Sequence, residues 1–113
     1  MKLVSHWVAG KEFTGSGSRR GEVHDPAKGI QTKEVVFGDH SDIAAAVSAA
    51  SAAFPSWRDT SLAKRSAIMF RFRELLDAKK GELAEIITEE HGKVVSDALG
   101  EINRGLEVVD FAC

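Results

Sequence analysis

Residues 89–106 read EEHGKVVSDALGEINRGL, and the change of pattern inside this stretch decides the fold. The charged residues that close one helix are followed by Gly92, a residue typical of a helix stop. A further helix is predicted from about Ser96 to Cys113, because its apolar residues have the spacing of a buried face. Those residues are Leu99, Ile102, Leu106, Val109 and Cys113. The stretch therefore predicts two consecutive helices joined at a glycine.

Three helices are predicted before Gly92. The first begins at Ser41 as N-cap and stops before Pro55, with Trp57 in the connection. Its apolar stripe is Ile43, Val47, Ala50 and Phe54. The second runs from about Leu62, and Gly81 separates it from the third. Their apolar faces are Ile68, Met69, Phe72, Leu75 and Leu76 in the second, and Leu83, Ile86 and Ile87 in the third.

Residues 1–38 have the pattern of short β-strands. A hairpin is predicted around a flexible connection at 14–18, a turn at 25–29, and a strand over 34–37 that ends at Gly38. The fold class is therefore α+β, with short N-terminal strands followed by four amphipathic helices. We expect a single incomplete domain over 1–113, composed of a β segment (1–38) and a helical segment (41–113), with apolar surface left exposed.

Composition excludes several classes of function. The chain has 113 residues, 43% of them hydrophobic and 28% charged, and its net charge is -2. This balance gives no reason to expect nucleic acid or an anionic membrane as partner. The lone Cys113 cannot form an internal disulfide, and no apolar run is long enough to cross a bilayer. We expect a cytoplasmic protein.

No cofactor, metal or catalytic residue is predicted within the chain. Gly15, Gly17 and Gly21 precede an extended segment, whereas a dinucleotide loop leads into a helix. The histidines lack the spacing of metal ligands: His6, His24, His40 and His91. Cys113 is interpreted as a packing residue on a helix stripe. The cluster Glu89-Glu90-His91 is interpreted as a solvated helix end, with Lys93 able to pair with one of its carboxylates.

Arg104 has two interpretations. Glu101 and Glu107 lie three residues to either side, so spacing alone favours salt bridges along the helix. The alternative is that the planar guanidinium binds a carboxylate on a small substrate.

Several short motifs in this order resemble the aldehyde dehydrogenase superfamily. They are Trp7-Val8-Ala9-Gly10-Lys11, Asp25-Pro26-Ala27-Lys28-Gly29, Ala53-Phe54-Pro55-Ser56-Trp57 and Phe70-Arg71-Phe72-Arg73-Glu74-Leu75-Leu76. A second set resembles the coenzyme A-acylating methylmalonate-semialdehyde dehydrogenases. It comprises Glu90-His91-Gly92-Lys93, Asp97-Ala98-Leu99-Gly100-Glu101, Arg104-Gly105 and Glu107-Val108-Val109-Asp110-Phe111-Ala112. The chain departs from the family at His24, and at Asp25, where Asn is usual.

The resemblance implies the N-terminal portion of the α/β NAD-binding domain of a longer enzyme. That parent is expected to be a homotetramer that oxidises methylmalonate or malonate semialdehyde with NAD and coenzyme A as co-substrate, releasing carbon dioxide. The resemblance also implies that Arg104 binds the substrate carboxylate, that the nucleophilic cysteine and the NAD contacts lie downstream, and that the chain alone is inactive. The alternatives are a fragment of a non-acylating aldehyde dehydrogenase and a free-standing, non-catalytic helical interaction module.

Overall fold

The computed structural model describes all 113 residues and confirms the order of short strands followed by four helices. The strands are β1 (Lys2–Val4), β2 (His6–Val8), β3 (Lys11–Phe13), β4 (Arg20–Asp25) and β5 (Ile30–Val36). The helices are α1 (His40–Asp59), α2 (Leu62–Ala78), α3 (Lys80–His91) and α4 (Val95–Ala112). None of the four is both long enough and apolar enough to cross a membrane.

Contacts within the chain group into two compact units. The first comprises residues 1–24 and 29–59, and the second comprises residues 25–28 and 60–113. The strands therefore lie almost entirely in the first unit with α1, while α2, α3 and α4 belong to the second. Whether the whole chain is one incomplete domain stays a prediction.

The strands of the first unit form a three-stranded sheet and a separate hairpin. The sheet has the order β1-β5-β4, with β1 parallel to β5. In the hairpin, β2 and β3 are antiparallel and turn at Ala9 and Gly10, which both have positive φ. A two-residue turn of this kind matches the twist of the paired strands. The predicted position of the hairpin, around 14–18, was therefore wrong, and the signal missed was Gly10.

The loop at 14–18, which the sequence predicts as a flexible connection, is bound by the buried carboxylate of Asp42. Asp42 accepts hydrogen bonds from the backbone amides of Ser16 at 2.8 Å and Gly17 at 3.0 Å. A third comes from the amide of Asp39 at 3.0 Å. These amide donors, that of Asp39 first, hold the pKa of Asp42 below its ordinary value despite its burial.

Helix α1 begins two residues earlier than predicted, and its cap is Asp39 instead of Ser41. The Asp39 carboxylate accepts from the amides of Ser41 at 2.8 Å and Asp42 at 3.0 Å. A carboxylate satisfies orphan amides at a helix start and also interacts favourably with the helix dipole. The Ser41 hydroxyl and these amides lower the pKa of Asp39 to about 2.

Helix α1 continues through Pro55 to Asp59, so the predicted stop before Pro55 was wrong and Trp57 lies within the helix. A proline inside a helix removes one hydrogen bond and costs about 3 kcal/mol. Residues 50–59 are all exposed, and the carbonyl that lacks its donor belongs to Ser51. Water can therefore bind that carbonyl, which limits the cost of continuing the helix.

The second unit is built around the contact between α3 and α4. Ala84 and Ala98 are fully buried there, and Ile102 is 8% exposed. Leu83, Ile87 and Leu99 pack around this cluster. Ile86 was predicted to point inward but is 46% exposed, because α3 is covered on the side that carries Ala84.

The sequence predicts a glycine at each end of α3, Gly81 before the helix and Gly92 after it. The break before it falls at Lys79, and Gly81 is the second residue of α3, so the predicted position was wrong. The end of α3 is confirmed: Gly92 adopts a left-handed conformation with φ of 84°, and its amide donates to the Thr88 carbonyl at 2.8 Å. Residues other than glycine rarely adopt this backbone conformation.

Candidate functional site

Within the second unit, helix α4 packs one face against α3 and α2, and its opposite face is exposed. Its buried face consists of Ala98, Ile102 and Leu106. At its C-terminal end, Arg73 of α2 forms an ion pair with Asp110 at 2.7 Å, and the Ser66 hydroxyl donates to the Cys113 carbonyl at 3.2 Å. The helix is therefore fixed to α3 along its length and to α2 at its end.

The N-terminal half of α4 is attached by an ion pair between Lys93 and Glu101. The hydrogen bond from Lys93 is the main reason why the pKa of Glu101 is lowered. Spacing had suggested Glu89 or Glu90 as the partner of Lys93, and the ion pair that the structure shows is with Glu101. The left-handed turn at Gly92 reverses the chain after α3, so that the lysine side chain reaches α4 instead.

Arg104 lies in the middle of the exposed face of α4 and forms no hydrogen bond or ion pair. The salt bridges that spacing suggested, to Glu101 and Glu107, are both absent, and Glu101 is paired with Lys93 instead. Residues two apart on a helix are separated by about 200°, so Arg104 projects away from the buried Ile102. An unpaired guanidinium on a packed helix, with all of its donors unused, is a ready binding group for an anion.

The surface around Arg104 is apolar or open. Val108 lies one turn after Arg104 and is 70% exposed, and Phe111 lies about two turns after it and is 96% exposed. Gly100 lies one turn before Arg104, and a Cβ placed there would meet no atom within 4 Å. We call Gly100, Arg104, Val108 and Phe111 the Arg104 face. A cation beside apolar surface and free space suits a small carboxylate with a short carbon chain.

The other candidate residues are not brought together into a site. Cys113 is partly buried at the end of α4, where its amide donates to the carbonyls of Val109 and Asp110. The loop that contains Gly15 and Gly17 leads into β4, and its amides are occupied by Asp42. No group of three or more His, Cys, Asp or Glu side chains is arranged to hold a metal ion.

Sequence reasoning identified Arg104 but missed the groups that surround it. The partner of Lys93 lies eight residues away in the next helix, and a contact between elements is not readable from spacing within one element. Gly100 could have been recognised, because its spacing of four residues places it on the same helix face as Arg104.

Comparisons with known proteins give a consistent result. A sequence model of the aldehyde dehydrogenase family matches residues 13–113. The malonate-semialdehyde dehydrogenase of Pseudomonas aeruginosa is 38% identical over 113 residues, which are 100% of this chain and 22% of the relative.

Solved structures agree with the sequence comparison. The methylmalonate-semialdehyde dehydrogenase of Oceanimonas doudoroffii is 40% identical, with a TM-score of 0.96 over 100% of this chain and 23% of that one. A Sinorhizobium meliloti 1021 protein assigned to the same activity, solved in complex with NAD, is 39% identical with a TM-score of 0.96 over 98% of this chain and 23% of that one. The chain thus spans 22–23% of the length of these relatives.

Proposed function

This chain belongs to the aldehyde dehydrogenase family, and we propose that it is the N-terminal region of an NAD-dependent, coenzyme A-acylating dehydrogenase of malonate or methylmalonate semialdehyde. The proposal rests on identities of 38–40% to relatives named for these semialdehydes. In the complete enzyme, semialdehyde, coenzyme A and NAD would be converted to acyl-coenzyme A, carbon dioxide and NADH.

The observation that carries the proposal is the unpaired guanidinium of Arg104 on a helix that is anchored at both ends. Both semialdehydes have a carboxylate at one end and the reacting aldehyde at the other. A fixed cation that binds the carboxylate through two parallel hydrogen bonds orients the aldehyde relative to the catalytic groups. Arg104 is therefore proposed as a substrate-binding residue.

The loop that contains Gly15 and Gly17 does not offer a site for the pyrophosphate of NAD. Binding of a pyrophosphate needs free amides at a strand-to-helix turn, whereas the amides of Ser16 and Gly17 donate to Asp42. We therefore assign the binding of NAD and coenzyme A, together with the nucleophilic cysteine, to the remainder of the enzyme. The 113-residue chain alone is proposed to be inactive. Tetrameric assembly and a cytoplasmic location stay predictions.

A direct assay of the complete enzyme tests the proposed reaction. NADH formation is measured with malonate semialdehyde, in the presence and absence of coenzyme A, and the products are identified. We expect turnover that requires coenzyme A and yields acetyl-coenzyme A and carbon dioxide. Release of a free acid without a coenzyme A requirement would identify the non-acylating alternative. Lack of turnover with any carboxylated semialdehyde would refute the substrate assignment.

A further inference from the structure

The interior of α4 contains two glycines, Gly100 and Gly105, that the packing of the chain does not require. Neither has positive φ, and a Cβ at either position would meet no atom within 4 Å. Glycine is nevertheless among the least favourable residues in a helix interior. A methyl group at either position would therefore fit the chain and favour the helix, so a reason for glycine must lie outside the contacts of this chain.

The two glycines differ in their position relative to Arg104. Four residues correspond to about 40° around the helix, so Gly100 shares the Arg104 face. One residue corresponds to about 100°, so Gly105 projects from a different side of the helix. Long side chains on a helix lean toward its N-terminus. We therefore expect the Arg104 side chain to lean toward the turn that contains Gly100, where an added Cβ would meet no atom within 4 Å.

We infer that Gly100 is a specificity-determining residue that keeps space open beside the Arg104 guanidinium for the branched end of the substrate. This inference rests on the proposed function. In methylmalonate semialdehyde the methyl group is carried by the carbon next to the carboxylate, within one bond of the group that Arg104 binds. Space at Gly100 is thus located where the branched and unbranched semialdehydes differ.

The test compares Gly100→Ala with Gly105→Ala in the complete enzyme. Values of kcat/KM are measured for methylmalonate semialdehyde, malonate semialdehyde and propanal, which has no carboxylate. Gly100→Ala is expected to lower kcat/KM for the branched semialdehyde by roughly tenfold or more relative to propanal, the scale of one methyl group in a binding pocket. The unbranched semialdehyde should lose less. Gly105→Ala should leave all three ratios unchanged.

Equal effects of the two alanine variants, or an unchanged ratio between branched and unbranched substrates in Gly100→Ala, would overturn the inference. An Arg104→Ala variant measured in parallel separates this outcome from failure of the proposed function. If Arg104→Ala loses the preference for carboxylated substrates while Gly100→Ala keeps the wild-type ratios, only the inference about Gly100 fails. If Arg104→Ala keeps that preference, the carboxylate-binding role fails, and the inference about Gly100 fails with it.

Discussion

Lys93 and Glu101 form an ion pair that joins the turn after α3 to helix α4, and this pair occupies one of the two carboxylates that lie three residues from Arg104. Glu101 lies three residues before Arg104, a spacing at which opposite charges on a helix attract each other. Lys93 therefore competes with Arg104 for Glu101, and Glu107 on the other side of Arg104 forms no pair with it either. If Arg104 binds the substrate carboxylate as proposed, Lys93 would act on that binding only through Glu101.

The Lys93→Met variant of the complete enzyme should bind carboxylated substrate less well. The released Glu101 can pair with Arg104, which predicts a KM for malonate semialdehyde raised by about twofold, in keeping with the modest strength of such helix pairs. The parameters for propanal should stay unchanged. A Lys79→Met variant is a matched control, since Lys79 pairs with Glu82 in α3.

Adding Glu101→Gln to Lys93→Met should restore the KM, because the competing carboxylate is then removed. If the double variant keeps the raised KM, Lys93 supports α4 by packing and not by holding Glu101. Steady-state kinetics on the four proteins distinguish the two cases.

Gly92→Ala should destabilise the protein. The φ of 84° at this position is unfavourable for alanine, and the added Cβ would lie 2.9 Å from the Pro26 ring. The left-handed conformation alone costs roughly 1–2 kcal/mol. Gly81→Ala is the matched control, because Gly81 lies in the first turn of α3 with open space around it. Thermal unfolding should place the midpoint of Gly92→Ala below that of the wild type and that of Gly81→Ala at or above it. The reverse order would contradict the assigned end of α3.

Acid should weaken the hydrogen bonds that the carboxylates of Asp39 and Asp42 accept at the start of α1 and from the loop at 14–18. The folded-state pKa of both carboxyls is lowered, that of Asp39 from 3.8 to about 2. Their stabilising effect is therefore complete above pH 4, roughly the ordinary value, and is lost as the pH falls toward 2. Thermal midpoints measured between pH 7 and pH 2 should show this loss in the wild type. Asp42→Asn should have a lower midpoint at pH 7 and a weaker dependence on acid.

Asp59→Asn is the control for that experiment, since Asp59 is an exposed residue paired with Arg58 at the end of α1. It should behave like the wild type. If the thermal midpoint of Asp42→Asn falls with acid as steeply as that of the wild type, the hydrogen bonds to Asp42 do not account for the acid sensitivity.

The separate 113-residue chain should expose apolar surface. Ile43 and Val47 are each 59% exposed on α1, and Phe111 is 96% exposed on α4. Side chains of the hairpin and α1 also line an open groove of about 310 Å³. Such surface favours association, so we expect strong binding of a hydrophobic dye and self-association in size-exclusion chromatography. Monomeric elution with cooperative unfolding would instead favour the free-standing interaction module.

Local patterns in the sequence were sufficient to predict the regular part of the fold. The apolar periodicity located α2 and α4, and Gly92 marked the end of α3 because few residues other than glycine adopt its conformation. The turn at 25–29 also followed from local chemistry. There the Asp25 carboxylate accepts from the amides of Ala27 and Lys28 at 3.0 and 3.2 Å.

Features that depend on contacts between distant residues were not predictable in the same way. Asp42 holds a loop 25 and 26 residues before it, and nothing in its own helix indicates that partner. The predicted end of α1 before Pro55 was wrong. Proline usually ends a helix, but this part of α1 is exposed, and water can bind the carbonyl that lacks its donor. For the candidate site, the sequence and its resemblance indicated Arg104, while the pairing of Glu101 with Lys93 depends on a contact between two elements that spacing within one helix does not reveal.

The most direct test of the account is the ratio of kcat/KM for malonate semialdehyde to that for propanal in the complete enzyme, compared between wild type and Arg104→Ala. Arg71→Ala, which removes an exposed arginine paired with Glu74 on α2, is the control. The account predicts a ratio lowered by about 10- to 100-fold in Arg104→Ala, since hydrogen bonds to charged groups contribute about 1.5–3 kcal/mol. It predicts no change in Arg71→Ala. Equal losses on both substrates in Arg104→Ala would contradict the carboxylate-binding role on which the account depends.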